Sequence, residues 1–352
     1  MQGHSTERIL PPSGEHPGDG GGSRGESAPR RRARTWGKRA QRSRPLAAAL
    51  GQAGLHWLQL LPLRVARAAG GFSGGACAFL PTKLSRVTSI NLRLCFPEWT
   101  ATQRRRLARR SLTETGRMTL ELGAMWGWSR ERLLPLVRQV EGEELVRDVL
   151  ARGRGVILLA PHLGAWELVG LYLSSKYPIT SLYRPPHMGE MEEFYKRARE
   201  RFGAQLVPAG AGGVRALHRA LQRGEIAGIL PDQDAGKGSG IFVPFFGVLA
   251  NTTVLPSRLA QRTGAAVVLA YAERLADGRG FHLHFRRGSD AILEQDLARS
   301  ASALNADVER CVRELPQQYL WSYKRFRIRP PGGADLYGRT RAREGDAPVP
   351  GP

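Results

Sequence analysis

The chain has 352 residues, of which 41% are hydrophobic, enough for one large domain with a substantial core. Its 53 Lys and Arg against 31 Asp and Glu give a formal net charge of +22, which favours a polyanionic partner: nucleic acid, an anionic membrane face, or an acidic carrier or substrate. Cys77, Cys95 and Cys311 form no CxxC pair, which argues against a structural zinc site and for a reducing compartment.

The first 81 residues are predicted to form a basic tail and a membrane-associated helical segment. Residues 1–45 are poor in aliphatic side chains, which predicts disorder. The basic run of this tail, at residues 29–45, contains Arg30, Arg31, Arg32, Arg34, Lys38, Arg39, Arg42 and Arg44. Residues 46–81 are moderately apolar, and the part up to Pro62 has few charges. Because this part is only marginally long enough to span a bilayer, we expect a helix that lies at the interface or is partly inserted.

Residues 82–330 are predicted to form an α/β domain, followed by a disordered tail at 331–352. Residues 82–154 have a helical pattern, with Thr100 and Gln103 at the spacing of a capping box. After residue 155, short aliphatic runs alternate with amphipathic stretches, which predicts a central, mostly parallel or mixed sheet flanked by helices. The predicted strands are 155–161, 179–183, 204–208, 226–230, 241–245, 266–272 and 281–286. The predicted helices are 164–175, 189–202, 212–223, 253–263 and 295–314.

The segment VILLAPHLGAWELVGLYL, residues 156–173, carries the candidate catalytic pair. Pro161 ends a strand before His162, Gly164 permits a sharp turn, and Glu167 falls in the first turn of the next helix. From there Glu167 can reach back to the imidazole, so that His162 acts as a general base on a hydroxyl and Glu167 fixes its tautomer. N–H groups of the helix N-terminus can bind a developing oxyanion. The alternative is a capping glutamate beside a buried, hydrogen-bonded histidine.

Metal and nucleotide motifs are weak in this sequence. HExxH, GxSxG and GxxxxGK[ST] are absent, and the glycine-rich GAGGVR at 210–215 lacks the Lys-Ser/Thr ending of a phosphate-binding loop. His282 and His284 lie on one side of a predicted strand, a spacing more typical of hydrogen-bonded or solvent-facing histidines than of metal ligands. These patterns argue against a metal site and a phosphate-binding loop, and they indicate no cofactor.

Five ordered segments resemble those of a known family. H-x4-E after a strand is similar to the H-x4-D/E motif of the glycerolipid and lysophospholipid acyltransferase superfamily. Within it, the segments resemble the lipid A biosynthesis acyltransferases of the late, lauroyl/myristoyl type, over about residues 85–330. They are NLRLCFPEWT, APHLGAWE, LYRPP, GILPDQDAGKGSGIFVPFFG and QYLWSYKRFRIRP. Two features depart from the family: Ala165 stands where Asn is frequent, and the basic N-terminal tail is unusually long.

The resemblance implies transfer of a fatty acyl chain from an acyl-carrier protein thioester to a hydroxyl of a Kdo-bearing lipid A precursor, at the cytoplasmic face of the inner membrane. It implies His162 as the general base and Glu167 as its partner, with no covalent acyl-enzyme and no metal. The alternatives are an acyltransferase for another lyso-lipid or glycolipid, and a non-catalytic protein that binds anionic membranes. Nucleic-acid binding is disfavoured because the sequence has no recognisable motif for it.

Four further residues are candidates for substrate binding. Arg184 follows a predicted strand, where ligands gather in parallel sheets, and could grip a phosphate or be a solvated loop cation. Asp232 and Gln233 end another strand and could orient a sugar or the donor thioester, or cap a turn. Arg325 would share one face of a terminal strand with two further arginines, suited to phosphates or lipid headgroups or to a solvated edge. The phenylalanines of IFVPFFG are predicted to be core residues.

Overall fold

A seven-stranded sheet flanked by helices forms the centre of the computed structural model, which describes residues 45–184, 189–236 and 238–338. The strands are β1 (Val137–Glu141), β2 (Val156–Leu159), β3 (Ile179–Tyr183), β4 (Gln205–Pro208), β5 (Ile226–Ile229), β6 (Gly240–Phe245), β7 (Val248–Thr253), β8 (Ala266–Arg274) and β9 (Phe281–Arg287). The helices are α1 (Pro45–Leu60), α2 (Leu63–Cys77), α3 (Lys83–Cys95), α4 (Ala101–Gly127), α5 (Arg130–Leu133), α6 (Glu144–Ala151), α7 (Trp166–Ser174), α8 (Gly189–Glu200), α9 (Ala211–Gln222), α10 (Leu255–Thr263) and α11 (Leu297–Glu314).

The strand order of the sheet is β1-β9-β8-β2-β5-β3-β4, and every neighbouring pair is parallel except β8 and β9. The central strands β2 and β5 are buried along their whole length, as expected for continuous apolar runs covered on both faces. The remaining strands, β6 and β7, form a separate antiparallel hairpin. Its two-residue turn, Phe246 and Gly247, has φ angles of 49° and 75°, the positive values that a type I′ turn requires.

The predicted α/β class and mostly parallel sheet are confirmed, and each strand predicted after residue 155 is present. The helical prediction for 82–154 is wrong at β1, because the polar sequence VRQVE lies at the sheet edge and is only partly buried. The polar strand β7 was missed as well. The strand suggested around Arg325 is also wrong, since the chain turns repeatedly there. The Asn91 side chain donates to the carbonyls of Trp321 and Tyr323 and so stabilises these turns.

Helices α2 and α4 pack with their backbones in contact. A Cβ atom at Gly74 would lie 2.2 Å from the carbonyl oxygen of Leu112, and one at Gly116 would lie 2.0 Å from that of Gly70, so only glycine fits. Buried ion pairs continue this contact to the sheet. Glu121 of α4 binds Arg67 of α2 and Arg274 of β8, and Arg274 also binds Glu114. The helices that precede the α/β core are thereby attached to β8.

Most of the two predicted tails lies outside the described residues. The basic tail lies outside the described residues except for Pro45, and so does the C-terminal tail from residue 339. Tyr337 is buried, and its hydroxyl donates to the Asn91 side chain, so packed structure continues past the predicted start of that tail at 331. None of the helices in the described ranges combines the length and the apolar character that crossing a bilayer requires.

Candidate active site

His162 lies on a loop that follows β2 at the carboxyl edge of the sheet. Pro161 ends the strand, and Gly164 adopts a φ of 62°, as the sharp turn requires. A Cβ atom at Gly164 would lie 2.0 Å from the carbonyl oxygen of Ala272, so the loop can approach β8 only with glycine here. The backbone N–H of Ala165 donates to the same carbonyl at 2.8 Å. The loop is therefore held by backbone contacts, and His162 is buried at its centre.

The hydrogen-bond partner of His162 is Asp232, which follows β5. The Asp232 carboxylate accepts from the His162 backbone N–H at 3.0 Å and from Nδ1 at 2.9 Å. Burial alone would raise the pKa of Asp232, but attraction to His162 and these hydrogen bonds outweigh it and hold the pKa below its usual range. Asp232 is thus ionised at neutral pH and places the imidazole proton on Nδ1.

The other imidazole nitrogen carries the lone pair that a general base needs. With Nδ1 protonated, Nε2 is an acceptor, and the Gln233 side-chain Nε2 lies 3.0 Å from it. The Trp166 ring lies against the imidazole, with 4.8 Å between ring centroids. A hydroxyl that replaces the Gln233 amide would have its proton within reach of His162 Nε2.

Glu167 has a different partner from the one that its spacing suggested. It lies in the first turn of α7, as predicted, but its carboxylate binds Arg199 of α8 through two contacts, one of them 2.8 Å long. No hydrogen bond joins Glu167 to His162 in the described parts of the chain. Burial alone would lower the pKa of Arg199, but Glu167 outweighs it, and the pKa lies above the usual value. The expected contact between Glu167 and the imidazole is therefore corrected to an ion pair beside it.

Arg184 and Arg325 have different surroundings. Arg184 is exposed after β3, where its Nη2 donates to the carbonyl of Asp234 at 3.1 Å, so the structure brings it near the Asp232 loop. Arg325 is only 3% exposed, and its guanidinium donates to the Asn251 carbonyl and the Thr252 hydroxyl of β7. A headgroup contact for Arg325, expected from the sequence, is therefore not supported, because these donors already hold the β6–β7 hairpin.

A mostly apolar cavity opens beside Glu167, between α7, α8 and the sheet. Its lining residues are Leu158, Ala160, Trp166, Glu167, Gly170, Leu171, Ile179, Ser181, Leu182, Arg199, Ala204, Leu206, Gly228, Ile229 and Leu230. Trp166 belongs to this lining and also contacts the His162 ring, so the cavity adjoins the imidazole. The phenylalanines of IFVPFFG were predicted to be core residues, and this is confirmed for Phe245 and Phe246. Both are buried, and neither lines the cavity.

Two features of the site were not found from the sequence. Asp232 was assigned to substrate, because the adjacency of β2 and β5 cannot be deduced from strand patterns alone. Arg199 gave no signal, since it is one charge among many on the polar helix α8. The signal that could have found Asp232 is that it follows a buried strand whose carboxyl end lies at the same sheet edge as His162.

Comparisons with known proteins show the family of this chain. The family model of bacterial lipid A biosynthesis acyltransferases matches residues 37–328. A lipid A biosynthesis lauroyltransferase of Escherichia coli K12 is 30% identical, over 81% of this chain and 92% of its own length. A palmitoleoyltransferase of the same organism is 31% identical over 70% and 80%, and a myristoyltransferase is 27% identical over 71% and 77%. The chain therefore belongs to the bacterial lipid A biosynthesis acyltransferase family.

Proposed function

We propose that this protein transfers a fatty acyl chain from an acyl-carrier protein thioester to a hydroxyl of a lipid A precursor, at the cytoplasmic face of the inner membrane. The observation that carries the proposal is the imidazole of His162, with Nδ1 held by ionised Asp232, Nε2 facing the Gln233 amide, and the ring packed against Trp166 of an apolar cavity. This arrangement suits general-base activation of a hydroxyl beside a bound acyl chain.

In the proposed reaction, His162, Asp232 and the first turn of α7 act on the acceptor hydroxyl and the thioester. The acceptor hydroxyl replaces the Gln233 amide at His162 Nε2, and the imidazole takes its proton as the oxygen attacks the thioester carbonyl. Asp232 stabilises the imidazolium, and N–H groups in the first turn of α7 stabilise the oxyanion. When the tetrahedral intermediate collapses, the C–S bond breaks and the imidazolium returns its proton to the carrier thiolate. Because the C–O bond formed during the attack, this collapse leaves the acyl chain as an ester on the acceptor oxygen.

The cavity beside Glu167 is the proposed site of the acyl chain. Its lining is apolar apart from a few groups, chiefly Ser181 and the Glu167–Arg199 ion pair. This ion pair ties α7 to α8 and so keeps the two helical walls together. In this proposal Asp232 orients His162, while Glu167 and Arg199 position the cavity wall. A direct catalytic role for Glu167 stays a prediction from the resemblance.

An apolar surface near the N-terminus supports the membrane location. Seven of the eight large apolar side chains that are exposed in the described part of the chain lie between Trp57 and Leu84. Phe72 is 82% exposed and Phe79 is 70% exposed. The Arg109 guanidinium lies 4.7 Å from the centroid of the Phe79 ring. Apolar side chains flanked by arginine are suited to an anionic lipid surface.

Replacement of His162 tests the chemistry. Loss of a general base typically lowers the rate by about 10²–10⁴-fold. His162→Ala should therefore slow transfer from acyl-carrier protein to the lipid A precursor by at least about 10²-fold. The matched control is His218→Ala, which removes a histidine of α9 outside the site. A folded His162→Ala protein with near-wild-type turnover would exclude the proposed base.

Vesicle flotation tests the membrane surface separately. The double variant Phe72→Ser, Phe79→Ser should bind anionic vesicles at least about tenfold more weakly, since burial of one such side chain is worth about 1.5–3 kcal/mol. Leu249→Ser is the matched control, because Leu249 is 42% exposed but lies on the β6–β7 hairpin. Equal binding by wild type and the double variant would exclude this surface as the membrane contact.

A further inference from the structure

Two histidines and two glutamates meet on strands β1, β9 and β8, outside the proposed catalytic centre. His284 of β9 pairs in register with Glu141 of β1, and His282 pairs with Glu273 of β8. The side chains of i and i+2 residues on a strand share one face, so both imidazoles lie on the same side of the sheet. Their ring centroids are 3.8 Å apart. Sequence spacing alone had suggested an ordinary histidine pair, because the two glutamates come from distant segments.

The atoms that face Glu141 have the spacing of metal ligands. Glu141 Oε2 lies 3.2 Å from His284 Nδ1 and 3.8 Å from His282 Nε2, and the three ligand atoms all lie within 4.8 Å of one another. In a tetrahedral zinc site with bonds of about 2.0–2.2 Å, neighbouring ligand atoms lie about 3.3–3.6 Å apart. Small side-chain movements would therefore bring these three atoms to coordination distance.

Glu273 occupies the opposite side of both rings. Its Oε2 lies 3.1 Å from His284 Nε2 and 3.9 Å from His282 Nδ1. Each imidazole therefore has one nitrogen toward Glu141 and the other toward Glu273. Metal-binding histidines usually donate their second N–H to a carboxylate, which fixes the tautomer that leaves the first nitrogen free to coordinate. Glu273 is placed to do this for His284, and a shorter separation than 3.9 Å would let it do the same for His282.

His282 has a ring nitrogen that is available for coordination. Its Nε2 is buried, and no hydrogen-bond partner for it exists within the described ranges. Glu141, by contrast, has a side chain that is 53% exposed, so an ion can reach the cluster from solvent.

Arg286 competes with a cation for this place. Its Nη1 lies 2.9 Å from Glu141 Oε1, and its Nη2 lies 3.3 Å from His284 Nδ1. A metal ion would have to displace these contacts. Glu314 offers the guanidinium another partner, since its Oε2 already lies 3.3 Å from Nη2.

We propose that Glu141, His282 and His284 form a binding site for a divalent transition-metal ion of the zinc type. Glu273 orients the two imidazoles, and a water molecule completes the tetrahedron. Because the ligands come from β1 and β9, the bound ion would fix the edge strand β1 to its neighbour and stabilise that end of the sheet.

The test is zinc titration of the full-length, untagged protein by calorimetry, with a melting curve as a second readout. We expect one equivalent of tightly bound zinc and a higher melting temperature. Loss of an outer-shell partner typically costs about 10–100-fold in metal affinity, so His282→Ala and Glu141→Gln should each lose at least about tenfold. The matched control His218→Ala should bind as wild type does, and Arg286→Gln should bind several-fold more tightly. Acyl transfer should stay near wild type in all four variants.

Two results would contradict the proposed metal site. One is the absence of stoichiometric zinc binding to the wild type. The other is zinc binding that His282→Ala and Glu141→Gln leave unchanged, which would assign the ion to other residues. Glu141 is a largely exposed side chain, so Glu141→Gln keeps the test valid even if His282→Ala fails to fold.

Discussion

Replacement of Asp232 by Asn tests whether its contact with His162 sets the tautomer of the catalytic imidazole. The carboxylate accepts two hydrogen bonds, from the His162 backbone N–H and from Nδ1. In Asp232→Asn, the amide has only one oxygen to accept them. If that oxygen keeps the backbone N–H, the amide NH₂ faces Nδ1 and favours the tautomer with the proton on Nε2. That tautomer has no lone pair for the acceptor hydroxyl, so the base is disabled.

The expected fall in kcat can be estimated from an enzyme in which the same change stabilises the wrong histidine tautomer. In a serine protease, the equivalent Asp-to-Asn change costs about 10⁴ in kcat. We therefore expect a fall in kcat of about 10³–10⁴, which corresponds to about 4–5.5 kcal/mol at 1.36 kcal/mol per tenfold. Stability should fall less, by about 1–3 kcal/mol, since one buried donor loses its acceptor.

The fall in kcat is measured by steady-state kinetics in which the acyl-carrier donor and the lipid acceptor are varied separately. The fall in stability is measured by a melting curve. Glu167→Gln is the informative comparison, because it leaves Arg199 without its carboxylate and should mainly lower stability and weaken donor binding. Gln233→Ala should retain most of kcat, because the amide only occupies the place of the acceptor hydroxyl. If Asp232→Asn kept near-wild-type kcat while Glu167→Gln lost 10³-fold without a loss of stability, Glu167 and not Asp232 would be the partner of His162.

Three further changes test other parts of the structure. Arg184→Ala should raise the acceptor KM by an amount equivalent to about 1.5–3 kcal/mol of binding free energy and should change the donor KM little. Arg184→Lys should recover part of this loss, and a defect confined to the donor KM would contradict the assignment. Gly170→Leu should shift the product to shorter acyl chains in mass spectrometry, since a Cβ atom there meets open space in the cavity lining, and an unchanged chain-length profile would place the acyl chain elsewhere. Gly74→Ala should lower stability by about 1–3 kcal/mol, because its Cβ would meet the Leu112 carbonyl at 2.2 Å; Gly75→Ala, whose nearest contact is 3.4 Å, should not, and equal melting temperatures would refute the proposed packing.

Several features of this protein were determined by the sequence alone. The aliphatic runs at β2 and β5 are long enough and apolar enough to be buried strands whatever surrounds them. Pro161 and Gly164 impose the strand end and the turn that present His162, since one restricts the backbone and the other permits a positive φ. Local patterns of this kind depend on neighbouring residues, so they can be interpreted without knowing the fold.

Only the tertiary structure decided which side chains meet. Asp232 reaches His162 because β5 lies directly beside β2, although β3 and β4 come between them in the chain. Glu167, five residues from His162, instead binds Arg199, because α8 packs against α7 and supplies a partly buried cation. Arg325 is buried rather than exposed, because the chain around it turns instead of extending. Strand order and helix packing depend on the whole core, and no local periodicity contains them.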